Sequence, residues 1–100
     1  MPIQTKPFDA AKYFTDEEAQ IELLNDALRE GHAGYIASAI GTVAKARGLT
    51  GVASATGLSR QSLHKALSEN GNPTIDTLMK VLAELGIELE AKRKREPEMA

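Results

Sequence analysis

The chain reads as an all-α fold of five helices, and three observations point there. Apolar residues recur at three- and four-residue spacing in segments that end at Gly31, Gly48, Gly57 and Gly86. Capping residues stand ahead of several of these segments, among them Ser59 and Thr74. Aromatics make up only 4% of the 100 residues, with no Trp, so a core must rest on Leu, Ile, Val and Ala, which favours helix over sheet. One hundred residues suit a single domain with one modest core.

Residues 1–14 read as an N-terminal arm, with a short turn between Phe8 and Phe14 that Asp9 can cap. Thr15-Asp-Glu-Glu18 is a capping box ahead of an apolar run. The helix it starts sets Ile21, Leu24, Ala27 and Leu28 on one face and stops at Gly31. Its outer face carries Glu18, Glu22, Asp26 and Glu30 at successive i+4 positions. Like charges at that spacing cost a few tenths of a kcal/mol per pair. The strip reads either as solvated surface or as a docking strip for a basic partner. A second helix is expected from Gly34 to Arg47, with Ile36, Ile40, Val43 and Ala44 inward. Gly41 inside it weakens it by roughly 1 kcal/mol relative to Ala and permits a close helix approach.

Residues 50–68 read as two short helices joined at Gly57, which accepts a left-handed conformation without a Cβ penalty. Val52, Ala53, Leu58, Leu63 and Ala66 have the spacing to pack the two helices across each other. Arg60, Gln61, His64 and Lys65 are left pointing outward. This is the layout of a DNA-reading helix-turn-helix, whose second helix enters the major groove. Asn70-Gly-Asn-Pro73 is turn chemistry, and Thr74 caps a helix with Ile75, Leu78, Met79, Leu82 and Leu85 inward and Gly86 as its stop. Ile87-Glu-Leu-Glu90 alternates with period two and reads as a short C-terminal β-strand. A lone strand needs an edge from elsewhere, most simply a second copy of the chain, with Ile87 and Leu89 in the dimer contact. The helical domain thus spans 15–90, and 91–100, with Lys92-Arg-Lys-Arg95, forms a charged flexible tail.

The net charge of −2 hides a division. Residues 31–68 hold Lys45, Arg47, Arg60 and Lys65 and no acid, while the flanking thirds are acidic. Phosphate binding responds to local positive charge rather than to the average. Arginine pairs bidentately with guanine and glutamine with adenine, so Arg60, Gln61, His64 and Lys65 are the candidate base readers. Ser59 suits both a cap and a phosphate contact. Asn72 and Thr74 precede a helix N-terminus, whose free N–H groups suit a phosphate. Lys45 and Arg47 either touch phosphate or complement the end of their own helix. His64 and His32 have no cysteine or acid partner that would make a metal site or a nucleophilic dyad. The absence of cysteine excludes disulfides and thiolate ligands. No cofactor loop and no catalytic constellation is visible, so no enzyme is expected. With neither a signal-like h-region nor about 18 consecutive apolar residues, the expectation is a cytoplasmic protein without a membrane partner.

The five-helix pattern with a helix-turn-helix at its centre resembles the lambda-repressor-like (XRE-type) DNA-binding fold. Phe8-Asp9, Ala44-Lys-Ala-Arg-Gly48, Ala53, Gly57-Leu-Ser-Arg-Gln-Ser-Leu63, Lys65-Ala-Leu-Ser68, Gly71-Asn-Pro-Thr74, Val81-Leu82 and Leu85-Gly86 further resemble the addiction-module antidote family. The resemblance covers about residues 8–90. It implies an antitoxin that represses its own operon from a double-stranded DNA operator, works as a homodimer, and neutralises a toxin similar to the RelE/ParE superfamily. Two departures stand out. Many lambda-like domains place a Gln where this chain has Thr50-Gly51, and a larger aliphatic where it has Thr56. The rival readings are a stand-alone prophage-type regulator and a protein-interaction adaptor that does not bind DNA.

Overall fold

A computed structural model describes residues 14–94. Five helices follow one another: α1 (Glu17–Glu30), α2 (Ala33–Arg47), α3 (Leu49–Thr56), α4 (Arg60–Ala66) and α5 (Ile75–Glu84). The expected arm, 1–14, lies outside the described residues except for Phe14, and the tail's last six residues lie outside them too.

The amphipathic segments bury one face each around α2, which supplies Ala37, Ala39, Ile40, Val43 and Ala44 to the core. α1 packs on α2, and α5 packs chiefly on α3. Leu63 from α4, Val52 from α3, and Val81, Leu82 and Leu85 from the α5 region complete one cluster. Removing a side chain as enclosed as Leu63 would cost about 2–5 kcal/mol, as a lost transfer energy plus a cavity. Gly41 is where α2 meets the end of α4. A Cβ there would overlap the Leu67 carbonyl and lie 3.1 Å from the Leu67 Cβ, so the expected close approach is real.

Several boundaries and faces differ from the expectation. Asp16, not Thr15, caps α1, with the Ala19 N–H donating to its carboxylate at 3.4 Å. The buried stripe of α1 runs through Gln20, Leu24 and Ala27, with Leu23 partly covered. Ile21 and Leu28 are 38% and 42% exposed instead. α2 begins one residue early because the His32 ring nitrogen Nδ1 accepts the Tyr35 N–H at 3.3 Å.

The expected C-terminal strand is absent. Beyond α5 the chain runs on without a ladder, because the described residues offer it no free sheet edge. α5 closes instead in a Schellman motif: Gly86, at φ 70°, donates to the Ala83 carbonyl at 3.1 Å, and Ile87 donates to the Leu82 carbonyl at 2.9 Å. Ile87 therefore folds back against the core rather than facing a partner. Leu89 stays half exposed.

Candidate nucleic-acid interface

Two short helices and the turn between them set the exposed polar group. α3 ends at Gly57, which sits at φ 75° and ψ 7° and donates to the Ala53 carbonyl at 2.9 Å. Thr56 is more than a small residue in this corner. Its hydroxyl donates to the Val52 carbonyl at 2.9 Å and accepts the Leu58 N–H at 3.2 Å, tying the end of α3 to the turn. Ser59 then caps α4, accepting the Ser62 N–H at 3.0 Å, while its hydroxyl donates to Ser62 Oγ at 3.0 Å.

Leu63 is fully buried and Leu58 and Ala66 are partly covered, which fixes the rotation of α4. Arg60, Gln61, His64 and Lys65 are consequently all exposed. They lie within two turns of a seven-residue helix. The loop that follows is pressed against the end of α4: a Cβ at Gly71 would overlap the Ala66 and Lys65 carbonyls. Asn72 and Thr74, which follow Gly71 in the chain, are both exposed. Thr74 caps α5, accepting the Thr77 N–H at 3.1 Å.

Lys45 and Arg47 close α2, both exposed at least in part, and the Arg47 guanidinium is engaged within the fold. Arg47 Nε donates to Gln20 Oε1 at 2.8 Å, and another guanidinium nitrogen donates to the Leu85 carbonyl. A long contact of 3.9 Å reaches Glu17. Gln20 is 2% exposed and satisfied at both ends, since its amide nitrogen donates to the Phe14 carbonyl at 2.7 Å. Sequence reasoning missed this pair. A buried glutamine on an apolar face was the available signal, but its partner lies 27 residues away.

Beside Arg47, a cleft of about 330 Å³ is lined by Thr50, Gly51, Glu84 and Leu85. The Glu84 carboxylate lies over Gly51, so a side chain from α5 covers the start of α3. A Cβ at Gly51 would meet Glu84 Oε2 at 2.8 Å.

The acidic candidates lie along α1. Glu18, Glu22 and Glu30 are exposed. Asp26 is half-buried and engaged, accepting the Tyr35 hydroxyl at 2.6 Å and facing Arg29 at 3.6 Å. The Asp26 bond is the main reason the Tyr35 hydroxyl is held above its ordinary pKa of 10.0; desolvation and the nearby carboxylate charges act in the same direction. Among the described residues no group of three or more His, Asp or Glu side chains is arranged to hold a metal ion. No helix among them is long and apolar enough to cross a membrane.

The described residues thus form a small all-helical domain with an exposed polar α4 and an acidic α1. Comparison with known proteins narrows that class. Residues 4–93 match the family described as probable addiction module antidote proteins, and the chain belongs to that family. It is similar to an uncharacterized protein of Haemophilus influenzae (strain ATCC 51907 / DSM 11121 / KW20 / Rd), 41% identical over 95 residues that cover 95% of this chain and 98% of the relative. No solved structure matches the chain.

Proposed function

We propose that the protein is the antitoxin of a toxin–antitoxin pair and that it binds double-stranded operator DNA through α4, repressing its own operon. Membership of the antidote family supports the antitoxin role. The observation that carries the DNA reading is the first turn of α4. Ser59 caps it, Leu63 anchors it, and Arg60, Gln61, His64 and Lys65 stand exposed within a stretch of 38 residues, 31–68, that contains no acid. Arg60 and Gln61 read base edges, while Lys65 and His64 lie one turn further along. Ser59, Lys45, Asn72 and Thr74 take the phosphate positions; Arg47 is left out because its guanidinium already serves Gln20 and Leu85. The protein acts by binding, without catalysis.

The toxin partner in this reading is a basic, RelE/ParE-like protein. Proteins that act on RNA carry positive surfaces for a polyanionic substrate, and an acidic face speeds their capture. Glu18, Glu22 and Glu30, all exposed on α1, supply that face.

Fluorescence anisotropy on the upstream DNA of its own operon tests the DNA reading. Arg60→Ala and Gln61→Ala should each weaken specific binding by about 1–3 kcal/mol and relax preference at one base position. Lys65→Ala should weaken binding evenly across sequences where the lysine meets phosphate, and shift preference at one base position where it meets a base edge. Full affinity in the Arg60/Gln61 double alanine variant would remove α4 as the reader.

A further inference from the structure

The chain leaves the helical core at a fixed point. Ile87 donates to the Leu82 carbonyl at 2.9 Å and packs against the core. Two residues earlier, the Leu85 carbonyl accepts from Arg47 at the end of α2, the helix end that also carries exposed Lys45. Glu84 lies over Gly51 at the start of α3. The exit thus stands at the corner where α2 gives way to α3. From there the described residues form neither helix nor strand, and 88–94 are exposed throughout. Lys92, Arg93 and Lys94 follow one another in this stretch, and Arg95 extends the run in the sequence. Among the described residues none of these three makes an ion pair or a side-chain hydrogen bond, although Glu88 and Glu90 are near in the chain. Four adjacent cations repel one another, so the run does nothing for the fold.

We propose that Lys92, Arg93 and Lys94, together with Arg95, are a second phosphate-binding element, which grips the backbone of duplex DNA beside the bases that α4 reads; it rests on the α4 reading above and adds to it a contact without sequence preference. Charge spacing supports this occupant. An extended chain sets one residue about every 3.3–3.6 Å, and each DNA strand carries one phosphate charge per about 3.4 Å of axis, so the run matches one strand charge for charge. An acidic protein surface offers carboxylates at no such regular interval. Composition supports duplex over single-stranded nucleic acid. From Glu88 to Arg95 there is no aromatic on which a splayed base could stack, and no amide to read an adenine edge. Contact with the backbone is what remains. Reach supports it too. The seven residues from Ile87 to Lys94 span at most about 25 Å, whereas α3, which leads from the exit corner to the turn before α4, has eight residues and is about 12 Å long. The run can therefore touch DNA that α4 already holds, on the side of exposed Lys45.

Salt dependence separates this element from the reader. The full-length protein is titrated by fluorescence anisotropy onto the duplex upstream of its own operon and onto a scrambled duplex of equal length, from about 50 to about 200 mM salt. A variant carrying Lys92→Gln, Arg93→Gln, Lys94→Gln and Arg95→Gln removes the four charges at positions outside the core, so its melting temperature should match wild type. Each phosphate contact contributes about 0.9 to the slope of log K against log salt, so the variant's slope should be shallower by about 3 on both duplexes. Over that fourfold range of salt the wild type should then lose roughly sixtyfold more affinity than the variant. The ratio of operator to scrambled affinity should stay the same. Arg93→Lys with Arg95→Lys should keep the wild-type slope, because a phosphate accepts either cation as a point charge. The Arg60/Gln61 double alanine variant should show the reverse pattern: operator preference lost, tail-dependent slope retained. An unchanged slope in the four-glutamine variant, a changed operator preference in it, or a wild type that binds neither duplex would each overturn the phosphate element. A wild type without operator preference whose slope still depends on Lys92–Arg95 would instead overturn the α4 reading and leave the phosphate element standing.

Discussion

Replacing Arg47 with Met keeps most of the aliphatic stem and deletes the guanidinium, which isolates what that group does. In the wild type it donates to buried Gln20 Oε1 at 2.8 Å and to the Leu85 carbonyl that ends α5. The Glu17 contact adds little, since it is 3.9 Å long and Glu17 is 82% exposed. A hydrogen bond to a charged group contributes about 1.5–3 kcal/mol, and a stranded buried acceptor costs about 1–3 kcal/mol. The Arg47 side chain is 29% exposed, so water can reach part of the site and the lower part of that range applies. Arg47→Met should therefore destabilise the fold by about 2–3 kcal/mol. Gln20→Leu alone should cost less, because it removes the buried acceptor along with the bond. In the double variant no Gln20 side chain is left buried without its Arg47 partner, so the combined loss should fall short of the sum by about 1–2 kcal/mol. Urea unfolding at one fixed protein concentration measures each variant, with midpoints compared at unchanged m. Additivity within about 0.5 kcal/mol would refute the coupling, and so would an Arg47→Met protein as stable as wild type. Arg47→Lys should not rescue, because an ammonium lacks the planar fork that reaches two acceptors at once.

Gly41→Ala should destabilise despite the helix propensity of Ala, since about 1 kcal/mol of propensity is set against about 1–3 kcal/mol of overlap with the Leu67 backbone; a lowered melting temperature checks it. Gly51→Ala should be tolerated, because the only obstacle is the end of the Glu84 side chain. Tyr35 gives an alkaline signature. Its folded pKa lies above the unfolded value of 10.0, so its contribution is fully present below pH 10 and is lost as pH rises through the folded value. Tyr35→Phe should lack that part of the alkaline loss in denaturation curves collected across the range; equal slopes would disprove it. Glu22→Lys with Glu30→Lys should abolish protection from the cognate toxin while leaving DNA binding intact. These two are chosen over Asp26 because Asp26 also holds Tyr35. Intact protection would return the strip to plain solvated surface.

The number of helices, most of their ends and the exposed polar group of α4 were legible in the sequence because they rest on local physics. A glycine in the left-handed region stops a helix wherever it occurs, and a serine caps one by bonding three residues ahead. Val52 and Leu63 lie where the three-to-four-residue spacing placed them, so Arg60, Gln61, His64 and Lys65 had to face outward. Tertiary contacts decided the rest. Successive residues stand 100° apart around a helix, so a stripe one position away from the correct one is nearly as apolar, and only the neighbouring element chooses between them. On α1 the choice fell on Gln20 and Leu24 rather than Ile21 and Leu28, because Arg47 from the end of α2 satisfies the glutamine. On α5 it left Ile75 and Met79 outside, since Leu78, Val81, Leu82 and Leu85 already fill the contact with the core. The alternation in Ile87–Glu90 produced no strand because a strand exists only against another strand, and within the described residues the Schellman turn claims Ile87 first.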